Sequence, residues 1–71
     1  MSGSVYKIIE LVGTSPESWE KAAQVAINQA AKSLRDLRVA EISELDMQLD
    51  DGKVVAYRAK VKISFKYHLE D

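Results

Sequence analysis

Apolar and polar residues alternate almost without interruption in the C-terminal part of the chain. From Val54 to Tyr67 every second residue is apolar, and most of the intervening residues are basic. The apolar set is Val55, Tyr57, Ala59, Val61, Ile63, Phe65 and Tyr67, and the other set is Arg58, Lys60, Lys62, Ser64 and Lys66. This period of two predicts a β-strand with one buried face and one charged face.

Two elements are predicted before this strand. The segment from Val5 to Val12 is rich in β-branched and aromatic residues and stops at Gly13, which predicts a strand followed by a turn. Ser15 is suited to cap a helix and Pro16 to occupy its first position. Apolar residues then recur at three- and four-residue spacing, which predicts one buried helical stripe. The stripe consists of Trp19, Ala22, Ala23, Ala26, Ala30, Leu34 and Leu37.

A tight turn predicts how the remaining strands pair. A strand is expected from about Arg38 to Leu49, and the Asp51-Gly52 pair after it suits the positive backbone angles of a hairpin turn. The predicted partners across this turn are Ala40 with Ile63, Ile42 with Val61, Val39 with Ser64, and Glu41 with Lys62. The expected fold class is therefore α+β: a β-α-β-β chain with a three-stranded antiparallel sheet, the first strand beside the third, packed against one helix.

One helix is too short to cover such a sheet. The last strand would extend roughly 45 Å, and its apolar face continues to Phe65 and Tyr67. Val39, Leu45 and Met47 are predicted to point to the face away from the helix. Because apolar surface on two sides of a monomer indicates a partner surface, we expect a homo-oligomer.

Composition limits the classes of function. The 71 residues fit a single domain over residues 1–71, and the lack of cysteine excludes disulfides, thiolate metal sites and cysteine nucleophiles. A formal net charge of -1 argues against a dedicated nucleic-acid-binding protein. The sequence shows neither a signal-peptide pattern nor a run of about 20 apolar residues. We expect a soluble cytoplasmic protein that binds neither nucleic acid nor a membrane.

Catalytic chemistry has little support in the sequence. The single histidine, His68, lies beyond the predicted strand, where a solvated role is the more common one. Gly3, Gly13 and Gly52 are isolated from one another, so no glycine-rich phosphate loop can form. In the absence of an acid-base pair or a nucleophile motif, we expect a non-enzymatic protein.

Acidic residues near the hairpin are candidates for a cation site. Their carboxylates could supply oxygen ligands to a hard cation such as calcium, and they are Glu44, Asp46, Asp50 and Asp51. Their spacing is not that of an EF-hand, because Gln48 and Tyr57 stand where that loop requires other ligands. A solvated turn that improves solubility explains the same residues.

Basic and aromatic residues also admit two interpretations. The basic ladder of Arg58, Lys60, Lys62 and Lys66 fits either an anion site or a charged face paired with Glu41 and Glu10. Trp19 fits a core or subunit contact better than a ligand platform.

The pattern as a whole resembles the dodecins, small strand-helix-strand-strand proteins that form homododecameric shells and typically bind flavins. The resemblance covers nearly the entire chain. It rests on VYKIIELVGTSPESWEKA at residues 5–22, LRDLRVAEISELD at residues 34–46 and DGKVVAYRAKVKISFK at residues 51–66. It implies a homododecamer with a small-molecule or cation ligand.

Two departures from the flavin-binding dodecins bear on the ligand. In those proteins a tryptophan near the start of the second strand stacks on the flavin ring, and a glutamine on the third strand contacts its polar edge. The resemblance aligns these cofactor-binding positions with Val39 and Arg58. Valine removes an aromatic contact worth about 0.5 to 1.5 kcal/mol beyond burial, and arginine cannot accept hydrogen bonds from the ring. Val39-Ala40 and Tyr57-Arg58 instead match the dodecin subgroup described as calcium dodecins.

Three hypotheses of function follow from the residues and the resemblance. The first is a non-enzymatic dodecin-like shell that binds or buffers a small ligand or cation, with calcium at the acidic hairpin. The second is a dodecin that stores riboflavin or FMN, in which Arg58 stacks on the ring and lysines hold the FMN phosphate. The third is a structural or adaptor assembly.

Overall fold

A three-stranded antiparallel sheet is covered on one face by a single helix in the computed structural model, which describes residues 3–67. The elements are β1 (Tyr6–Ser15), α1 (Trp19–Ser33), β2 (Leu37–Asp50) and β3 (Lys53–Lys66). The strand order is β1-β3-β2, with β3 in the centre. The predicted β-α-β-β fold is confirmed, including the first strand beside the third.

The β2–β3 hairpin turns through two residues. Asp51 and Gly52 have φ angles of 54° and 76°, and Asp50 pairs with Lys53 on either side of them. Positive φ at both central residues is the geometry of a hairpin turn whose twist matches that of the strands. All four partners predicted between β2 and β3 are present.

A β-bulge interrupts β2 after these pairs. The pairing shifts between Ile42 and Glu44, and the Ser43 hydroxyl donates a hydrogen bond to the carbonyl of Lys60 at 3.1 Å. A bulge adds one residue to one strand, so every residue after it changes sides relative to a regular strand. The sequence pattern alone did not predict this shift.

Because of the bulge, two apolar residues lie on the opposite face of the sheet from the one predicted. Leu45 lies opposite Ala59 and Met47 opposite Tyr57, and Ala59 is fully buried beneath the helix. Leu45 and Met47 therefore lie on the helix face, and their predicted placement on the other face is wrong. Val39 precedes the bulge and lies on the face away from the helix, as predicted.

The first strand is longer than predicted, because Gly13 does not end it. Gly13 lies within β1 opposite Ala59, at the point where α1 crosses the sheet. A Cβ on this residue would lie 1.9 Å from the carbonyl oxygen of Ala22 and 3.1 Å from the Cβ of Ala26. Gly13 is needed for the close approach of the helix and not for a turn.

The helix also begins later than predicted. Ser18, not Ser15, is the N-cap, and its side chain accepts a hydrogen bond from the backbone N–H of Lys21. The Ser15 hydroxyl accepts from the N–H of Glu17 and so belongs to the turn before the helix. Pro16 lies in this turn. The sequence contains two serines suited to capping, and only the path of the chain selects between them.

Small side chains form most of the core. The fully or nearly fully buried hydrophobic residues are Ala22, Ala23, Ala26, Ala30, Ala59, Val61 and Ile63. The predicted helical stripe is confirmed at its four alanines, whereas Leu34 caps the end of the helix and Leu37 begins β2. The helix packs mainly on β1 and β3 and only marginally on β2. No helix within residues 3–67 has the length and apolar character needed to cross a membrane.

Candidate functional site

The sheet face that the helix leaves uncovered, here called the open face, contains most of the predicted site residues. β3 runs along its centre and contributes its alternating polar residues, which the neighbouring strands flank. Val39 and Arg58 both lie on this face, as do Glu44 and Asp46. Asp50 and Asp51 lie at the hairpin turn.

Arg58 and Asp46 form a bidentate ion pair. Arg58 Nε donates to Asp46 Oδ1 at 2.7 Å, and an Nη atom of the same guanidinium donates to Oδ2 at 2.9 Å. These hydrogen bonds hold the pKa of Asp46 below its ordinary value and raise the pKa of Arg58. Both side chains are about half exposed, so solvent weakens the attraction between them. The guanidinium is nevertheless oriented by the carboxylate.

The next residue along the β3 ladder has its own acidic partner. Lys60 Nζ lies 3.1 Å from Glu44 Oε1. The hydrogen bond to Glu44, and then the charges of Glu44 and Glu10, raise the pKa of Lys60. Lys62 lies between Glu10 on β1 and Glu41 on β2. Arg58, Lys60 and Lys62 thus have acidic neighbours, which favours a paired charged face over a free anion site at these three residues.

The acidic residues predicted to bind a cation do not converge within one chain. Glu44 and Asp46 contact basic residues on the open face, and Asp50 and Asp51 lie in the turn. Residues 3–67 contain no group of three or more histidine, aspartate or glutamate side chains placed to hold a metal ion. Oxygen ligands suit calcium, but calcium takes about 6 to 8 of them. The assignment of these four residues as calcium ligands stays a prediction.

The two positions that the resemblance aligns with flavin contacts are far apart in one chain. Val39 lies opposite Ser64, whose hydroxyl donates to the Val39 carbonyl at 3.3 Å. Arg58 precedes Ser64 on β3 by six residues, a separation of roughly 20 Å at the usual rise of a strand. They share a face, as predicted, but a single small ligand can touch both only if a second copy contributes one of them.

Trp19 joins the helix to the sheet. Its Nε1 donates to the backbone carbonyl of Asp46 at 3.0 Å, and its ring packs edge-to-face on Tyr57 with centroids 5.2 Å apart. Asp46 is therefore held by Trp19 through its backbone and by Arg58 through its side chain. This agrees with a packing role for Trp19. Sequence reasoning missed the link to Asp46, because no spacing rule connects residues so distant in the chain. His68 lies outside the described residues.

Comparison with known proteins identifies the family. Residues 5–68 match the sequence model of the dodecin family, described simply as "Dodecin". The chain belongs to the dodecin family. The resemblance found in the sequence is thus confirmed, and the described fold is the dodecin fold.

Relatives of this dodecin include proteins described as calcium dodecins. The chain is 49% identical over 63 residues to "Calcium dodecin" of Mycobacterium tuberculosis, covering 89% of each protein. A crystal structure of a calcium dodecin from that organism, described as having a novel calcium-binding site, matches with a TM-score of 0.83 and 46% identity over 96% of this chain and 97% of the other. The dodecin of Streptomyces coelicolor matches with a TM-score of 0.91 and 31% identity over 99% of this chain and all of the other.

Proposed function

We propose that this dodecin is a non-enzymatic binding protein with a single domain, assembled as a homododecamer. Its ligand is a small molecule or a cation, and calcium is the first candidate. The observation that carries the proposal is the Arg58–Asp46 ion pair. At the position that the resemblance aligns with the flavin-contacting glutamine, a guanidinium is already bound by a carboxylate. The similarity to a calcium dodecin supports calcium as the ligand. The cytoplasm remains the predicted location.

Calcium binding at this site would use oxygen atoms of more than one copy. Glu44 and Asp46 lie on one face of β2, two residues apart, so their carboxylates can serve one ion or two neighbouring ions. Asp50 and Asp51 at the turn are the remaining candidates of the chain. Since a full calcium shell needs about 6 to 8 oxygens, symmetry-related carboxylates and water would complete it. Calcium would compete with Arg58 and Lys60 for the carboxylate oxygens of Asp46 and Glu44. We therefore expect a modest affinity for calcium.

Isothermal titration calorimetry tests this proposal. Calcium chloride is titrated into protein whose native mass has been measured, and magnesium chloride is titrated in parallel. We expect saturable calcium binding that weakens at least tenfold in Glu44→Gln or Asp46→Asn. Glu17→Gln is the matched control, because Glu17 pairs with Lys21 at the helix start and belongs to neither strand of the hairpin. Absence of heat and of calcium retention at millimolar concentration would reject calcium as the ligand.

Flavin binding is the second candidate, favoured by an apolar row on the open face. Val39, 62% exposed, and Ile8, also 62% exposed, lie on either side of Ser64, and they offer an uncharged surface beside the lysines. Riboflavin and FMN fluorescence titrations separate the candidates. Quenching by FMN at much lower concentration than by riboflavin would support flavin storage, because only FMN has a phosphate for the basic ladder to bind. No response to flavin or calcium, together with recovery of a bound protein, would favour an adaptor.

A further inference from the structure

The two ion pairs of the open face lie side by side. Asp46 pairs with Arg58 and Glu44 pairs with Lys60, and on each strand the two residues are separated by one other. Residues at that spacing point to the same side of a strand, roughly 7 Å apart. The four side chains therefore form one patch, here called the paired-charge patch. It has two negative and two positive charges and no net charge.

Each half of the paired-charge patch occupies the binding groups of the other half. Arg58 donates from Nε and from Nη to the two oxygens of Asp46, at 2.7 and 2.9 Å. A guanidinium fork that fits two carboxylate oxygens also fits two oxygens of a phosphate group. The carboxylate of Asp46 thus lies where a tetrahedral oxyanion would bind.

The neighbouring strand β1 supplies a hydroxyl, and not a carboxylate, beside Arg58. Thr14 lies opposite Arg58 in the β1–β3 register, and its hydroxyl can donate to an oxyanion. The charge of Glu10 raises the pKa of Lys60, whereas the pKa of Arg58 is raised by Asp46. If Asp46 binds another ligand, Lys60 still has Glu10 as a neighbour. Arg58 then has no printed acidic partner within residues 3–67, so it is the stronger candidate for an anion ligand.

Binding of a divalent cation changes the charge of the paired-charge patch. A calcium ion on Asp46 and Glu44 displaces Arg58 and Lys60 from the carboxylates and leaves an excess of two positive charges. Solvent screens these half-exposed groups in part. They nevertheless lie within the Debye length of about 10 Å at 0.1 M salt. An anion with two negative charges restores neutrality and accepts hydrogen bonds from the displaced donors.

We propose that Arg58 and Lys60 bind a small tetrahedral oxyanion, such as inorganic phosphate, when a cation occupies the two carboxylates of the paired-charge patch. This inference rests on the proposed cation site and adds a second ligand to it. Each ligand removes the competitor of the other, because the cation binds the carboxylates and the oxyanion binds the basic groups. The two affinities are therefore coupled, and linkage requires the same factor in both directions. Chloride has a single charge and no pair of oxygens for the fork, so it is a poorer ligand.

A calcium-free experiment tests the oxyanion site by itself. The double variant Glu44→Gln with Asp46→Asn removes both competing charges and preserves the size of the side chains. Sodium phosphate, titrated by calorimetry in the presence of a calcium chelator, should bind this variant about tenfold more tightly than the wild type. Adding Arg58→Gln should abolish the gain. The matched control is Glu17→Gln with Glu20→Gln, which removes two negative charges at the helix start and should bind phosphate as the wild type does.

Wild-type protein tests the coupling. Calcium chloride is titrated in sodium sulfate and in sodium chloride of equal ionic strength, with sulfate as the oxyanion because calcium sulfate stays dissolved. Calcium should bind about fivefold more tightly in sulfate. Pairing of sulfate with calcium in solution acts in the opposite direction, so it cannot produce this gain. Arg58→Gln should bind calcium without the gain. Methyl phosphate, titrated into the double variant, shows whether the site binds any phosphate group or only the free ion.

The outcomes separate this inference from the proposed function. If the wild type binds no calcium but the double variant binds phosphate, calcium is rejected and the oxyanion site stands. If the wild type binds calcium equally in sulfate and chloride, the coupling is overturned. If the double variant also gains no affinity for phosphate, the oxyanion site is overturned while calcium stands. An equal gain in the matched control would overturn it as well, because net charge alone would then explain the binding.

Discussion

Gly13 shows how one residue position can be misjudged from sequence. Its place after an apolar run predicts a turn, yet it lies in the middle of β1 with ordinary strand pairing to Ala59. What the position requires is the absence of a side chain, since the carbonyl of Ala22 occupies the space of a Cβ. Sequence alone cannot distinguish a glycine needed for its backbone angles from one needed for close packing, because both roles are filled by the same residue.

Gly13→Ala is expected to destabilise the fold more than Gly52→Ala does. The added methyl group meets backbone, which cannot turn aside, so the helix must shift, at a cost of about 1 to 3 kcal/mol or more. At Gly52 nothing lies within 4 Å, and only the positive φ of 76° is unfavourable, by about 1 kcal/mol. Urea unfolding at one fixed protein concentration compares the two variants. Equal stability of the two would contradict the close approach of α1 to β1.

The Asp46–Arg58 pair predicts the sign of one pH effect. Because Arg58 donates hydrogen bonds to it, the pKa of Asp46 lies below its ordinary value of 3.8 in the folded chain. Such a carboxyl stabilises the fold above the ordinary value, and this stabilisation is lost as the pH falls through the lowered folded value. Asp46→Asn should therefore lose less of its stability than the wild type on acidification below about pH 4.

Thermal unfolding followed by circular dichroism measures this difference across a pH series. Glu17→Gln, which removes an exposed carboxylate on the helix side of the molecule, serves as the comparison and should follow the wild type. Parallel loss of stability in Asp46→Asn and the wild type would show that Asp46 has the same pKa in the folded and unfolded chains.

At the scale of elements, the sequence predicts most of the hairpin and fails at a definite point. The Asp51-Gly52 turn and the alternation in β3 fix the register, and all four predicted pairs are confirmed. The predicted register fails from Glu44 to Gln48 and holds again at Leu49 and Asp50, next to the turn. The bulge at Ser43 contains no glycine or proline from which it could be predicted. The three-residue spacing of the apolar residues Ile42 and Leu45 is the one signal that could have indicated it.

The helix start provides a test of an element boundary. Ser18→Ala removes the acceptor for the N–H of Lys21 and should lower stability by about 1 kcal/mol. Ser18→Asp retains an acceptor at the same position and adds a negative charge at the positive end of the helix, so it should match or exceed the wild type. Chemical unfolding curves at one protein concentration measure both. No loss in Ser18→Ala would indicate that the helix is capped elsewhere.

At the scale of the whole molecule, self-association follows from simple geometry, but the surfaces involved do not. A 15-residue helix cannot cover two 14-residue strands, and the sequence is enough to show that apolar surface remains. Which surface remains depends on the bulge and on the sideways placement of α1 over β1 and β3. The predicted patch of Val39, Leu45 and Met47 is in fact divided between two faces. The candidate site cannot be predicted in full from one chain either. Val39 and Arg58 are too far apart within it to contact one small ligand unless a neighbouring copy contributes one of them.

Copies of the chain could be held together by charged surfaces or by apolar surfaces. High salt distinguishes the two, because it weakens only contacts between charges. The ion pairs of the open face are 40% to 69% exposed, and at 1 M salt charges are screened within about 3 Å. Burial of apolar side chains is not weakened by such screening. If apolar contacts between copies hold the assembly, its sedimentation coefficient should be unchanged between about 0.1 and 1 M sodium chloride. Glu44→Gln, which lacks one of these ion pairs, should likewise sediment as the wild type does. Dissociation of the wild type at high salt would instead show that the charged strands of the open face join the copies, and that the exposed apolar side chains contribute little to the assembly.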